Sequence, residues 1–282
     1  MPLPHFLIIG SMKAGTTTLY RDLLTHPRVY FPQDKEPGNL LSDDVLEGAG
    51  RAAYEALFAD AAADQLCAEA STAYMKRPTH EGVAERAAEL LGPELRAIAI
   101  LREPVDRLIS QHRHELTAGE IDEEDLGRAV ERYPHLLDYS RYAMQLEPWI
   151  GALGRDHVLV LKMEDHAADR AASTARAQVF LGLDPKPELV RTEAVYNRGD
   201  DKPMMTGPWR AIQQSAIYQK TVRPLIGVEM RQKLREALLP KARADRAAAD
   251  GELVTSLRER LKPDAARLAE LLGDDAPRWP AG

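Results

Sequence analysis

A single cysteine, Cys67, in a chain of 282 residues leaves no partner for an intrachain disulfide. Nothing in the sequence therefore asks for an oxidising compartment, and Cys67 is expected as a small apolar residue in a buried strand. No apolar run is long enough to cross a bilayer, and the N-terminal MPLPHFLIIG has no basic stretch ahead of its apolar residues. We expect a soluble, cytoplasmic protein with no membrane partner. Positive charge is not in excess either: 37 Lys and Arg stand against 44 Asp and Glu, for a formal charge of −7. That balance argues against a nucleic-acid partner or an anionic-membrane surface, so any positive potential must be local. Internal repeats and linkers are missing too, and the length sits just above that at which one core usually stops growing. One domain over residues 1–282 is the expectation.

What the sequence does have is concentrated in His5 to Leu24, HFLIIGSMKAGTTTLYRDLL. Phe6 to Ile9 read as a strand covered on both faces, Gly10 ends it, and Gly15 permits a tight turn into a Thr-rich helix start. Helix N-terminal N–H groups, the hydroxyls of Thr16, Thr17 and Thr18, and the Lys13 ammonium can then converge on one anion, naturally a phosphate. A nucleoside-triphosphate P-loop would need a lysine directly after the second glycine, followed by Ser or Thr. Gly10 and Gly15 have the spacing, but Thr16 occupies the lysine position and the lysine has moved to position 13. The site for a β,γ-phosphate and its Mg²⁺ goes with it.

Lys13, Gly15, Thr16 and Thr17 resemble the 5′-phosphosulfate loop of sulfotransferases that use 3′-phosphoadenosine 5′-phosphosulfate (PAPS). A second stretch, LRAIAILREPVDRLISQHRHE, strengthens the resemblance. Ile98 to Leu101 read as a buried strand, Arg102 stands at its carboxyl end, and Pro104 suits the first turn of the next helix. A strand-end arginine and a helical serine can both reach one phosphate. Leu101, Arg102, Pro104, Arg107 and Ser110 fit the family's 3′-phosphate motif. The resemblance implies that Arg102 and Ser110 hold the 3′-phosphate, while Arg107 braces the helix or a carboxylate.

The same resemblance supplies candidates for acceptor chemistry. In the Pro-bracketed loop after Val29 to Phe31, Lys35 and Glu36 match a Lys-Glu pair whose glutamate takes the acceptor proton beside a lysine near the transferred group. Glu36 is the first candidate base. LCAEASTAYM reads as another buried strand, and EASTAY resembles a family sequence that makes Glu69 the second candidate, or else a buried carboxylate that orients a neighbour. Its carboxyl end should bring Glu69, Ser71 and Thr72 to the ligand crevice. Tyr142 opens a helical pattern with Leu146, Trp149 and Ile150, and is expected either to line the acceptor site or to lie in the core. Arg198 and Lys202, in VYNRGDDKPMMTGPW, are loose matches to a basic loop over the cofactor.

The remaining segments complete an α/β pattern. HVLVLKM reads as a buried strand followed by Glu164 and Asp165, which are expected to cap rather than to bind metal. An acidic stretch, residues 117–135, reads as an exposed helix and loop beside the acceptor cleft. His112 and His114 are two apart on a helix, so they face differently and make no metal pair. The expected fold is α/β, with a P-loop-like central, mostly parallel sheet flanked by helices. The expected reaction is metal-independent sulfuryl transfer from PAPS, leaving 3′-phosphoadenosine 5′-phosphate (PAP), to a hydroxyl or amine of a small-molecule or saccharide acceptor. A P-loop small-molecule kinase and an inactive nucleotide-binding module are the alternatives.

Overall fold

In the computed structural model, residues 3–192 and 251–279 are described. The strands are β1 (Phe6–Gly10), β2 (Val29–Tyr30), β3 (Leu66–Ala70), β4 (Arg96–Leu101) and β5 (Val158–Lys162). They form one five-stranded sheet in the order β2-β3-β1-β4-β5, and each neighbouring pair is parallel. The helices are α1 (Thr16–Leu24), α2 (Gly48–Ala56), α3 (Val83–Leu91), α4 (Pro104–Ala118), α5 (Leu126–Arg132), α6 (His135–Asp138), α7 (Tyr142–Leu153), α8 (Met163–Ala168), α9 (Arg170–Phe180) and a closing helix, Gly251–Leu272.

The strands read as continuous apolar runs because both faces of the sheet are covered. Alternation along each strand divides their side chains between two cores. Phe6, Ile8, Ile98, Ile100, Leu159 and Leu161 pack with Leu19 and Leu23 of α1 and Ala177 of α9. Leu7, Ile9, Cys67, Ala97, Ala99 and Val158 pack on the opposite face with Tyr54 of α2, Ala87 of α3, Leu146 and Trp149 of α7 and Leu268 of the closing helix. Cys67 is fully buried, as its surroundings in the sequence suggest.

A smaller third core changes the reading of the acidic stretch. Ile121, Ala129, Val130, Leu136 and Leu137 pack against Val105 and Leu108 of α4 and Leu257 and Leu261 of the closing helix. Residues 117–135 are therefore pinned by isolated apolar residues among their charges, while most of the charged positions face solvent.

Topology fixes the site. From β1 the chain leaves through α1 toward β2 on one side of the sheet, and from β4 it leaves toward β5 on the other. Since β1 and β4 are neighbours, their carboxyl ends diverge and open a crevice, the place where open α/β sheets bind ligands. The register sharpens this divergence: Ile8 pairs with Ile98 but Gly10 with Ala99, so β1 carries one extra residue before its loop.

Gly10 is constrained by Met75, which packs directly on it. A Cβ at position 10 would sit 2.8 Å from Met75 Sδ and 2.9 Å from Met75 Cβ. Gly10→Ala should therefore destabilise the fold by about 1–3 kcal/mol through overpacking. Urea unfolding checks this, and an unchanged midpoint would mean that Met75 moves aside freely.

Candidate active site

The loop from β1 into α1 is built to receive an anion. Gly15, at φ 89°, is the N-cap of α1 and offers no side chain to the first turn. The opening N–H groups of the helix therefore point at the crevice with the helix dipole behind them. Ser11 ties this loop to the next strand, its N–H and hydroxyl both meeting the Ile100 carbonyl, at 2.8 and 3.2 Å.

Among the described residues, the non-glycine residues with positive φ are Lys13 (68°) and Glu36 (64°). A side chain in this left-handed region costs on the order of 1–3 kcal/mol and persists where the surroundings impose it, which happens most often at functional sites. Lys13 is also the lysine of the expected anion loop, and Glu36 the first candidate base.

A hydrogen-bonded chain joins their two loops. Lys35 Nζ donates to Thr17 Oγ1 on α1 (3.3 Å) and to Glu36 Oε1 (2.7 Å). Thr72, just past β3, donates its hydroxyl to Glu36 Oε2 (3.1 Å). Loops from the carboxyl ends of β1, β2 and β3 thus meet at Lys35 and Glu36. Each carboxylate oxygen keeps a second lone pair, and the Glu36 side chain is 39% exposed, open to an incoming acceptor.

On the β4 side, Arg102 stands just ahead of α4, and Asp106 and Ser110 follow at four-residue intervals on the helix. Arg102 and Ser110 are half-buried, and the Arg102 guanidinium makes a long ion pair with Asp106, at 3.9 Å. Glu103 is the N-cap of α4, accepting from Asp106 N–H, with Pro104 in the first turn. Arg107 points the other way. Fully buried, it donates to Ser140 Oγ (2.7 Å), Gln111 Oε1 (2.7 Å) and the Leu136 carbonyl (2.9 Å). Burial lowers its pKa to about 10, so it remains a cation at neutral pH, spent on bracing α4 and out of reach of a phosphate. Gln111 passes the brace to Glu115, which also pairs with His135 (2.8 Å).

Two candidate residues lie inside the protein. Tyr142 is buried, its hydroxyl donating to the Arg102 carbonyl (2.8 Å) and accepting the Arg102 N–H (3.3 Å). Burial pushes this phenol up to about 12. Tyr142 therefore occupies the core, where it clamps the backbone of the arginine, and it does not line an open acceptor surface. Glu69 has no solvent exposure. Strand alternation places it beside Leu7 on the α2 face, whereas Thr72 reaches the crevice. Ser71 is also buried, with no hydrogen-bond partner for its hydroxyl. Arg198 and Lys202 lie outside the described residues.

His112 bonds the Glu123 carbonyl (2.8 Å), and no cluster of three or more metal-ligating side chains occurs among the described residues. Glu164 and Asp165 do not cap the helix they open, since α8 has no side-chain cap and α9 is capped by Asp169; Glu164 instead accepts the Glu103 N–H (2.9 Å) and the Trp279 indole N–H (3.0 Å). Sequence reasoning missed Trp279 and also Asp264, whose carboxylate caps α7 through Ala143 and Met144 N–H. Both act across more than 110 residues of chain, and no local pattern marks them.

The family model described as "Sulfotransferase domain" matches residues 3–197, which span β1 to β5 and every loop of the crevice. The chain belongs to the sulfotransferase family. Carbohydrate sulfotransferase 15 of Mus musculus is 26% identical over 77% of this chain and 51% of its own length. Heparan sulfate glucosamine 3-O-sulfotransferase 3B1 of the same organism is 30% identical over 64% of this chain and 46% of its own length. The chain thus spans about half the length of these curated relatives. The solved sulfotransferase from Alicyclobacillus acidocaldarius superposes with a TM-score of 0.65 at 21% identity, over 96% of each chain. At that identity the likeness establishes the sulfotransferase fold.

Substitution of Lys13 separates strain from function. Lys13→Gly relieves the left-handed backbone while removing the ammonium, so stability should hold within about 1 kcal/mol or rise. Sulfuryl-transfer turnover should fall by about 10²-fold or more. Thermal unfolding and a transfer assay on the same preparation check this, and loss of stability with retained turnover would reverse the assignment.

Proposed function

We propose that this chain transfers a sulfuryl group from PAPS to a hydroxyl or amine of an acceptor, with a saccharide as the favoured class. The observation that carries the proposal is the meeting of the Lys13 loop and Glu36, both held in left-handed backbone, through Thr17, Lys35 and Thr72. The site's residues suit a ligand with two separated anionic groups. An uncapped helix start with Lys13, Ala14, Gly15, Thr16, Thr17 and Thr18 lies at the end of β1, and Arg102 with Ser110 at the end of β4.

Bound across these strand ends, PAPS supplies an activated sulfuryl group whose departure leaves negative charge on the 5′-phosphate. Lys13, the threonine hydroxyls and the α1 N–H groups would meet that charge as it grows, already oriented and with little reorganisation. Glu36 would take the acceptor proton, a contribution of about 10² to 10⁴-fold. Lys35, bonded to both Thr17 and Glu36, would keep the base aligned with the transfer axis and screen the two negative centres from each other. Arg102 and Ser110 would hold the 3′-phosphate, with Tyr142 fixing the arginine's backbone.

The kinase alternative is disfavoured by two features. Thr16 stands where a P-loop lysine belongs, and none of the described strands ends in an aspartate; their last residues are Gly10, Tyr30, Ala70, Leu101 and Lys162. The saccharide acceptor draws on the names of the carbohydrate and heparan sulfate relatives.

Calorimetry and a labelled-PAPS assay test the proposal. Arg102→Ala should weaken PAP by about 10- to 100-fold, the worth of a charge-assisted contact. Adenosine 5′-phosphosulfate, which lacks the 3′-phosphate, should be hardly affected; equal weakening of both ligands would remove Arg102 from the 3′ site. Label should pass from PAPS to desulfated heparan oligosaccharides. PAP binding without transfer to saccharides, phenols, alcohols or amines would instead indicate a binding module.

A further inference from the structure

We propose that Glu69 is a positioning residue, which holds the loop carrying Glu36 in the conformation that presents the base. The proposal rests on the sulfotransferase reading above and assigns to that reaction a residue that does not touch the reacting atoms.

Glu69 lies in the middle of the sheet, paired with Leu7 of β1, in a position where its neighbours on the same face are apolar. A carboxylate there is costly to desolvate, and burial raises its pKa to about 7. Two donors oppose that cost. Tyr54 of α2 donates to Oε2 (2.5 Å) and Tyr74 donates to Oε1, while the nearby Gly38 N–H also favours the charged form. The Tyr74 hydroxyl, so oriented, accepts the Leu40 N–H (3.2 Å). The adjoining strand residue takes the next contact, with Glu36 N–H donating to the Ala70 carbonyl (3.0 Å).

The loop is thus fastened at residues 36 and 40. The contact at 36 runs to the β3 backbone and that at 40 to a tyrosine oriented by Glu69, with the Gly38 N–H near the carboxylate between them. Glu36 and Gly38 both have positive φ, at 64° and 69°, a backbone path that an unsupported loop would leave. An apolar residue at 69 would fill the space but strand two tyrosine hydroxyls without an acceptor. The carboxylate is explained by what it orients. Its geometry also makes it unsuited to act as base, since each oxygen is engaged by a tyrosine and closed to solvent.

Hydrogen exchange on the full chain with PAP bound, for wild type, Glu69→Gln and Tyr74→Phe, tests the assignment. In both variants, exchange at residues 36–40 should accelerate by about tenfold or more, while residues 12–19 keep their PAP-dependent protection. PAP affinity should stay within about threefold, and kcat for labelled-PAPS transfer should fall by about 10- to 100-fold with KM for PAPS little changed. Wild-type exchange at 36–40 in both variants would overturn the proposal, as would protection lost throughout the sheet together with PAP affinity. If both variants fail to fold, Glu69 is a support of the core and the proposal is equally wrong. Failure of the wild type to bind PAP or to transfer label would instead sink the sulfotransferase reading, so the two failures are distinguishable.

Discussion

The Lys35 ammonium, held between the Thr17 hydroxyl and the Glu36 carboxylate, is the contact on which the active-site account depends. Without it the anion loop after β1 and the acidic loop after β2 would be separate surface features. With it, the groups suited to stabilising a leaving charge and to accepting a proton share one hydrogen-bonded frame, which Thr72 closes from the end of β3. An exposed lysine-glutamate pair contributes little to stability. This one lies where three loops converge, and its value is geometric.

Behind that frame, buried polar groups orient their neighbours. Arg107 braces α4 through three hydrogen bonds from inside the core, while Arg102, ahead of the helix, and Ser110, on it, are half-buried. Tyr142 grips the Arg102 backbone, and Glu69 sits beneath the Glu36 loop. The parallel sheet supplies the placement, since the chain departs from β1 and β4 in opposite directions and leaves their ends open side by side. Left-handed backbone at Lys13 and Glu36 is tolerated because the surrounding contacts over-determine it.

Much of this was legible in the residues. Phe6 to Gly10 and Ile98 to Leu101 announced buried parallel strands, and the glycine, lysine and threonine spacing announced an anion loop. The sequence also suggested a bracing role for Arg107, and its buried hydrogen bonds show that role. It could not orient Glu69, because a one-residue difference in strand phase decides whether a side chain faces the crevice or the helical layer. Tyr142 presented the same ambiguity, since a tyrosine at a helix start suits either a cleft or a core. The acidic stretch of residues 117–135 was misread as exposed because Ile121, Ala129 and Val130 are too scattered to form an apolar run, yet they fill a third core. The long-range caps from Asp264 and Trp279 depend on tertiary contacts that no local spacing encodes.

The central claim is that one adenosine nucleotide spans the two strand ends, and a crystal structure of the full chain with PAP tests it most directly. The account predicts the 5′-phosphate at the first turn of α1, within hydrogen-bonding distance of Lys13 and Thr16, and the 3′-phosphate on Arg102 and Ser110. PAP bound away from the β1–β4 crevice, or with its 3′-phosphate touching neither Arg102 nor Ser110, would contradict it.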